Sequence, residues 1–262
     1  MEMSSMKFLQ LDDCQLAYHE QGTGESTMVL VHGNIANQSW WNQVVEPLSE
    51  LGKVVTVDMR GVGQSTRPDA GYEIEQYAHD LLALLEMLET KQVTLVGHSL
   101  GGAIVMRTAL LAPSMIERMI LINSAPLHGL VTPEENYAVL SLLGSQRPLM
   151  EAALKGVAPA ADHQTPFFQQ IVDEAMRDAH VVIPNARSLE KFDIRQEAGK
   201  LTMPVYVIYG EQDLLVTKEM MQSTCELLPH GELIMFSHIG HSIMLEDPQQ
   251  FVQVVKSTLI SS

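Results

Sequence analysis

Cysteine is nearly absent from this chain: Cys14 and Cys225 are the two in 262 residues, and they lie far apart. Their spacing suits neither a zinc site nor a redox pair, so both are expected as free thiols in a reducing compartment. Positive charge is also scarce. Sixteen Lys and Arg face 32 Asp and Glu, a formal net charge of -16. A surface this negative repels nucleic acid and anionic membranes, and its plain consequence is solubility. No stretch reaches the roughly 18 uninterrupted apolar residues of a membrane span. The opening MEMSSMKFLQ has no long apolar core behind a basic segment, so no secretory leader is expected. Also missing are a phosphate loop, a dinucleotide glycine pattern, a metal-ligand cluster, an internal repeat and a low-complexity tract. The expectation left standing is a cytoplasmic protein with no cofactor and no metal.

What is present is a hydrophobic fraction of 46%, enough for one domain with a substantial core. Short runs read as strands: 6–12, 14–20, 27–32 (TMVLVH), 53–58 (KVVTVD), 92–97 (QVTLVG), 118–123, 204–210 (PVYVIYG) and 232–237. Between them, helical spacing marks 39–51, 74–89, 100–111, 217–228 and 248–259. Strands apolar throughout and alternating with helices indicate a parallel sheet covered on both faces. The alternation breaks over residues 126–199, where only helical segments near 133–143, 148–156, 167–180 and 186–192 are expected. The domain reading is therefore a sheet core of residues 1–125 and 200–262 with a helical insertion, 126–199, over it.

The sharpest local pattern is Gly97-His98-Ser99-Leu100-Gly101-Gly102, between a strand and a helix. A serine there sits on a tight turn that pushes its hydroxyl out of the fold, with glycines where the turn is most crowded. A serine nucleophile needs a base, and the base an orienting acid. His241 follows the last strand, at the carboxyl edge of the sheet where ligands of open α/β sheets bind. His238 is its rival three residues earlier. Asp213, just past strand 204–210, is the expected acid, with Glu211 as competitor. The order Ser99, Asp213, His241 is the one this architecture uses. An oxyanion formed at Ser99 needs main-chain N–H donors. Leu100 supplies one, and the loop His32-Gly33-Asn34-Ile35 the other, from Asn34 with Ile35 in reserve. Ile35 and Trp41, the latter from the pair Trp40-Trp41, are the residues expected at the substrate pocket.

Five ordered motifs carry a resemblance: His32-Gly33, Asp58-Met-Arg-Gly61-Val-Gly63-Gln-Ser65, Gly97–Gly102, Gly210-Glu-Gln-Asp213 and Gly240-His241. Over nearly its whole length the chain resembles the α/β-hydrolase superfamily, in its serine carboxylesterase and lactonase branch. That resemblance implies a mostly parallel eight-stranded sheet flanked by helices, with 126–199 as the variable cap. It implies Ser99 as nucleophile, Asp213 as acid, His241 as base, and Asn34 and Leu100 as oxyanion-hole donors. The implied activity is hydrolysis of a small to medium, partly apolar carboxylic ester through an acyl-enzyme on Ser99. Enol-lactones, acyl-homoserine lactones and carbon–carbon bonds are alternative targets within the superfamily. For the carbon–carbon branch, Arg187 and Arg195 are the cap arginines to consider. Some relatives of this fold keep the triad yet act as ligand receptors, although Gly101-Gly102 is the usual enzyme form. The implied partner is a small-molecule ester or lactone.

Overall fold

A computed structural model describes residues 5–90 and 92–260; residues 1–4, part of the segment read for a leader, lie outside it. All eight runs read as strands are strands. They are β1 (Lys7–Gln10), β2 (Gln15–Gln21), β3 (Thr27–Val31), β4 (Lys53–Val57), β5 (Val93–His98), β6 (Ile116–Ile122), β7 (Val205–Gly210) and β8 (Gly231–Phe236). They form one sheet in the order β1-β2-β4-β3-β5-β6-β7-β8. β2 runs antiparallel to both β1 and β4, and every pairing from β4 through to β8 is parallel.

The helices are α1 (Val45–Ser49), α2 (Ile74–Met87), α3 (Leu100–Leu111), α4 (Asn136–Leu140), α5 (Arg147–Val157), α6 (Pro166–Arg177), α7 (Val182–Lys191), α8 (Lys218–Leu227), α9 (Ile243–Glu246) and α10 (Pro248–Ile260). Alternate strand residues feed two separate cores, because successive side chains leave opposite faces of a strand. Val29, Val31, Leu95 and Leu121 pack with α2 and α3 on one face. Met28, Leu30, Val96 and Ile122 pack with Trp41, Leu48 and Phe251 on the other. The four helices of 126–199, with no strand among the described residues of that segment, add to both: Met150, Phe168 and Ile171 to the second core and Leu189 to the first.

The expected helix 39–51 is instead two pieces, a 3-10 turn Gln38–Trp41 and then α1. Pro47 explains the break. Proline has no N–H to donate back along a continuous helix and is tolerated only in a first turn, which is where α1 places it. No disulfide joins Cys14 and Cys225. Among the described residues no helix is long and apolar enough to cross a membrane.

Candidate active site

Ser99 alone connects β5 to α3. Its backbone is forced to φ 53° and ψ −116°, a left-handed conformation that costs a serine about 1–3 kcal/mol. Neighbouring strands hold it there. Ser99 N–H donates to the Ile122 carbonyl at 3.0 Å, and the Ser99 carbonyl accepts from Gly102 and Ala125 N–H at 2.9 and 3.0 Å. The glycine requirement at Gly101 is one of close approach: a Cβ there would fall on the carbonyl oxygens of Val31 and His32. Backbone cannot yield as a flexible side chain can. Gly101→Ala is expected to cost about 3 kcal/mol or more, read as a lowered urea midpoint; an unchanged midpoint would show that α3 can slide away from β3.

The loops after β7 and β8 bring His241 and Asp213 together. His241 Nδ1 donates to Asp213 Oδ2 at 2.6 Å, both side chains being buried. Asp213 Oδ1 accepts from the N–H groups of Leu215 and Val216 at 2.7 and 3.3 Å. The rivals lie elsewhere. The His238 side chain is 60% exposed and stands 3.6 Å from Asp247, and Glu211 is exposed, 3.9 Å from Lys218. One partner of this group was not legible in the sequence. Asn123, fully buried at the end of β6, donates from Nδ2 to Asp213 Oδ2 at 2.6 Å while its Oδ1 accepts Gly210 N–H at 3.2 Å. The only local sign of it is an asparagine where this strand end carries no acid.

Two buried histidines shape the surroundings. Met59 N–H donates to His32 Nε2 at 3.1 Å, so the ring proton sits on Nδ1 and donates to the Gly33 carbonyl at 2.8 Å. Burial pushes His32 below its ordinary range, which keeps it neutral and able to hold both bonds. His98 is held well below its ordinary value, first by burial and then by the nearby His241. Their ring centroids are 4.9 Å apart, and a neutral His98 places no second positive charge beside a protonated His241.

In the loop after His32, Asn34 N–H makes no main-chain or side-chain hydrogen bond among the described residues, and neither does that of Leu100, the first residue of α3. A first-turn N–H has no intrahelical partner and is free for an anion. Ile35 takes φ 53°, rare for a β-branched residue. Its N–H donates to Asn34 Oδ1 at 3.0 Å, which removes it as the reserve donor.

Ser99 and His241 open onto one cavity of about 300 Å³. Asn34, Ile35, Trp40, Leu143, Val157 and Val182 form much of its wall, with Leu214 and Leu215 from the Asp213 loop also lining it. No Lys, Arg, Asp or Glu is among its lining residues. Trp41 corrects the expectation. It is fully buried, its ring 6.2 Å from that of Phe251, and Trp40 lines the cavity instead. Adjacent residues of a 3-10 turn project about a third of a turn apart, so only one of the pair can face the site. Arg187 lies over the Tyr137 ring and pairs with Glu134 and Glu190; Arg195 pairs with Asp193. Neither lines the cavity. No group of three or more metal-ligating side chains is found among the described residues.

A model of the alpha/beta hydrolase family matches residues 28–254. The 3-oxoadipate enol-lactonase 2 of Acinetobacter baylyi is 27% identical over 257 residues, spanning 96% of this chain and 95% of that protein. An esterase from Exiguobacterium antarcticum superposes with a TM-score of 0.89 at 25% identity, over 97% of this chain and 99% of that one. The enol-lactonase of Burkholderia xenovorans shares the fold at a TM-score of 0.84 and 23% identity, covering 97% of this chain and 100% of its own.

Proposed function

The chain belongs to the alpha/beta hydrolase family, and from that membership we propose that it is a serine hydrolase cleaving carboxylic esters of uncharged, largely apolar acids. The observation that carries this is the cavity: Ser99 and His241 face it together, and nothing charged lines the rest. In the proposed reaction His241 Nε2 takes the Ser99 proton as Oγ attacks the ester carbon. The oxyanion is held by Asn34 and Leu100 N–H, each donor contributing about 10²–10³-fold. The same imidazole hands its proton to the leaving alcohol, then activates the water that releases the acid. Asp213 keeps the ring proton on Nδ1 and stabilises the imidazolium. The helical segment 126–199 is the proposed cap, since Leu143, Val157 and Val182 come from it.

The lining also supports a preference among substrates. An acyl group ending in a carboxylate, whether in a lactone or a ring-cleavage dienoate, would bury its charge there without a partner, at a cost of several kcal/mol. An alkyl chain gains about 0.8 kcal/mol per buried CH₂, close to fourfold in rate. With p-nitrophenyl esters of rising chain length, kcat/KM is expected to climb by about fourfold per CH₂ until the chain outgrows the cavity, then to fall. An ester of equal length with a terminal carboxylate is expected to be at least about 100-fold poorer. Equal turnover of the two would overturn the uncharged-acyl reading, and lactones turned over far above all esters would make the chain a lactonase.

A further inference from the structure

The Asn34 side chain is tied at both ends of its amide. Its Oδ1 accepts two hydrogen bonds, from Ile35 N–H and from Asn185 Nδ2, both at 3.0 Å. Its Nδ2 donates to the Val182 carbonyl at 3.1 Å. Asn185 and Val182 belong to α7, about 150 residues further along the chain. Asn185 is buried, and its own Oδ1 accepts the Tyr77 hydroxyl proton of α2 at 2.7 Å. The direction of every bond in this series is fixed. Ile35 N–H can only donate and the Val182 carbonyl can only accept, so Asn34 must present Oδ1 to the first and Nδ2 to the second; Asn185 then donates from Nδ2 to Asn34 Oδ1 and its own Oδ1 takes the Tyr77 hydroxyl proton. The far end of the series bears on the one strained bend in the loop, Ile35 at φ 53°, which directly follows the Asn34 main-chain N–H.

We infer that Asn185 is a positioning residue: with Tyr77 behind it, it clamps the Asn34 side chain and so aims the Asn34 N–H at the oxyanion. This rests on the function proposed above. It makes the docked position of α7 a condition for turnover rather than a mere roof over the pocket. A buried chain of hydrogen bonds with a single polarity has few alternative arrangements, and breaking one link leaves the next group unpaired.

The test is kinetic. In Asn185→Leu, kcat for a p-nitrophenyl ester is expected to fall about 10–100-fold with KM within about twofold, since a misaimed oxyanion donor weakens only the transition state. Affinity for a trifluoromethyl ketone, whose hemiketal with Ser99 carries the oxyanion, should fall in parallel. Affinity for the released p-nitrophenol, which carries no acyl oxygen, should not. Tyr77→Phe, a milder change that keeps both amides, should move kcat and ketone affinity in the same direction by a smaller factor, and it stands as the test should Asn185→Leu fail to fold. Wild-type kcat and ketone affinity in a folded Asn185→Leu protein, or in Tyr77→Phe if that is the only folded variant, would overturn the inference. So would equal losses in ketone and p-nitrophenol affinity. Ser99→Ala separates the two levels: if it retains activity the proposed function fails, whereas its inactivity beside an unaffected Asn185→Leu sinks the clamp alone.

Discussion

Ser99→Ala is expected to lower kcat on an activated ester by about 10⁶-fold, leaving only the residual rate that binding and oxyanion donors provide. The fold should survive. Alanine occupies the same left-handed backbone position, φ 53° and ψ −116°, with the same main-chain bonds to Ile122, Gly102 and Ala125, and it loses one oxygen. Ser99→Gly sharpens the test. Glycine reaches that conformation without Cβ strain, so it should be as inactive as alanine yet more stable by about 1–3 kcal/mol, seen as a higher urea midpoint. Strain stored at a working nucleophile predicts this opposition between stability and activity. Wild-type ester turnover in either variant would remove Ser99 from the mechanism.

Asp213→Asn is expected to cost about 10⁴-fold in kcat, the scale of loss when the base is held in the wrong tautomer. The buried carboxylate is saturated with donors: Oδ2 takes His241 Nδ1–H and Asn123 Nδ2–H, and Oδ1 takes the N–H groups of Leu215 and Val216. An amide must turn its NH₂ toward one of these pairs. Directed at Oδ1's place it meets two main-chain donors that cannot turn away. Directed at His241 it donates to Nδ1, which moves the ring proton to Nε2 and leaves no lone pair for Ser99. Asn123 cannot flip to relieve the conflict without surrendering its bond to Gly210 N–H. Activity on p-nitrophenyl esters reads the outcome, with KM expected to change little. Glu211→Gln and His238→Gln, whose parents are exposed and away from this group, should keep kcat within about twofold. A large loss in either, or a near-normal rate in Asp213→Asn, would reassign the acid or the base.

The eight strands and the Ser99 turn were legible because their causes are local. The central parallel strands are buried and largely apolar, and a one-residue strand-to-helix turn demands small neighbours, which Gly97, Gly101 and Gly102 are. Parallel strands deliver their following loops to one edge, which points to the loops after β7 and β8; within them His241 and Asp213 are preferred to His238 and Glu211 because they lie further beyond the strand ends. The broken helix at 39–51 was missed although Pro47 was in view, since its apolar spacing outweighed a breaker that a first turn tolerates.

Other features had no local cause to read. Apolarity at Trp40 and Trp41 is the same letter twice; only the packing of Phe251 against one of them decides which faces the cavity. Arg187 and Arg195 look like ligands for a charged substrate until their carboxylate partners are seen. Asn123 and Asn185 act across separations of 90 and 151 residues. A hydrogen bond requires its two groups within about 3 Å and aligned, a condition that the chain meets at such separations only once the sheet has closed and α7 has docked. The sequence by itself therefore determined the fold and singled out Ser99, Asp213 and His241 as the candidate site residues. The tertiary structure alone decided their hydrogen-bond partners and the lining, free of Lys, Arg, Asp and Glu, of the cavity that Ser99 and His241 share.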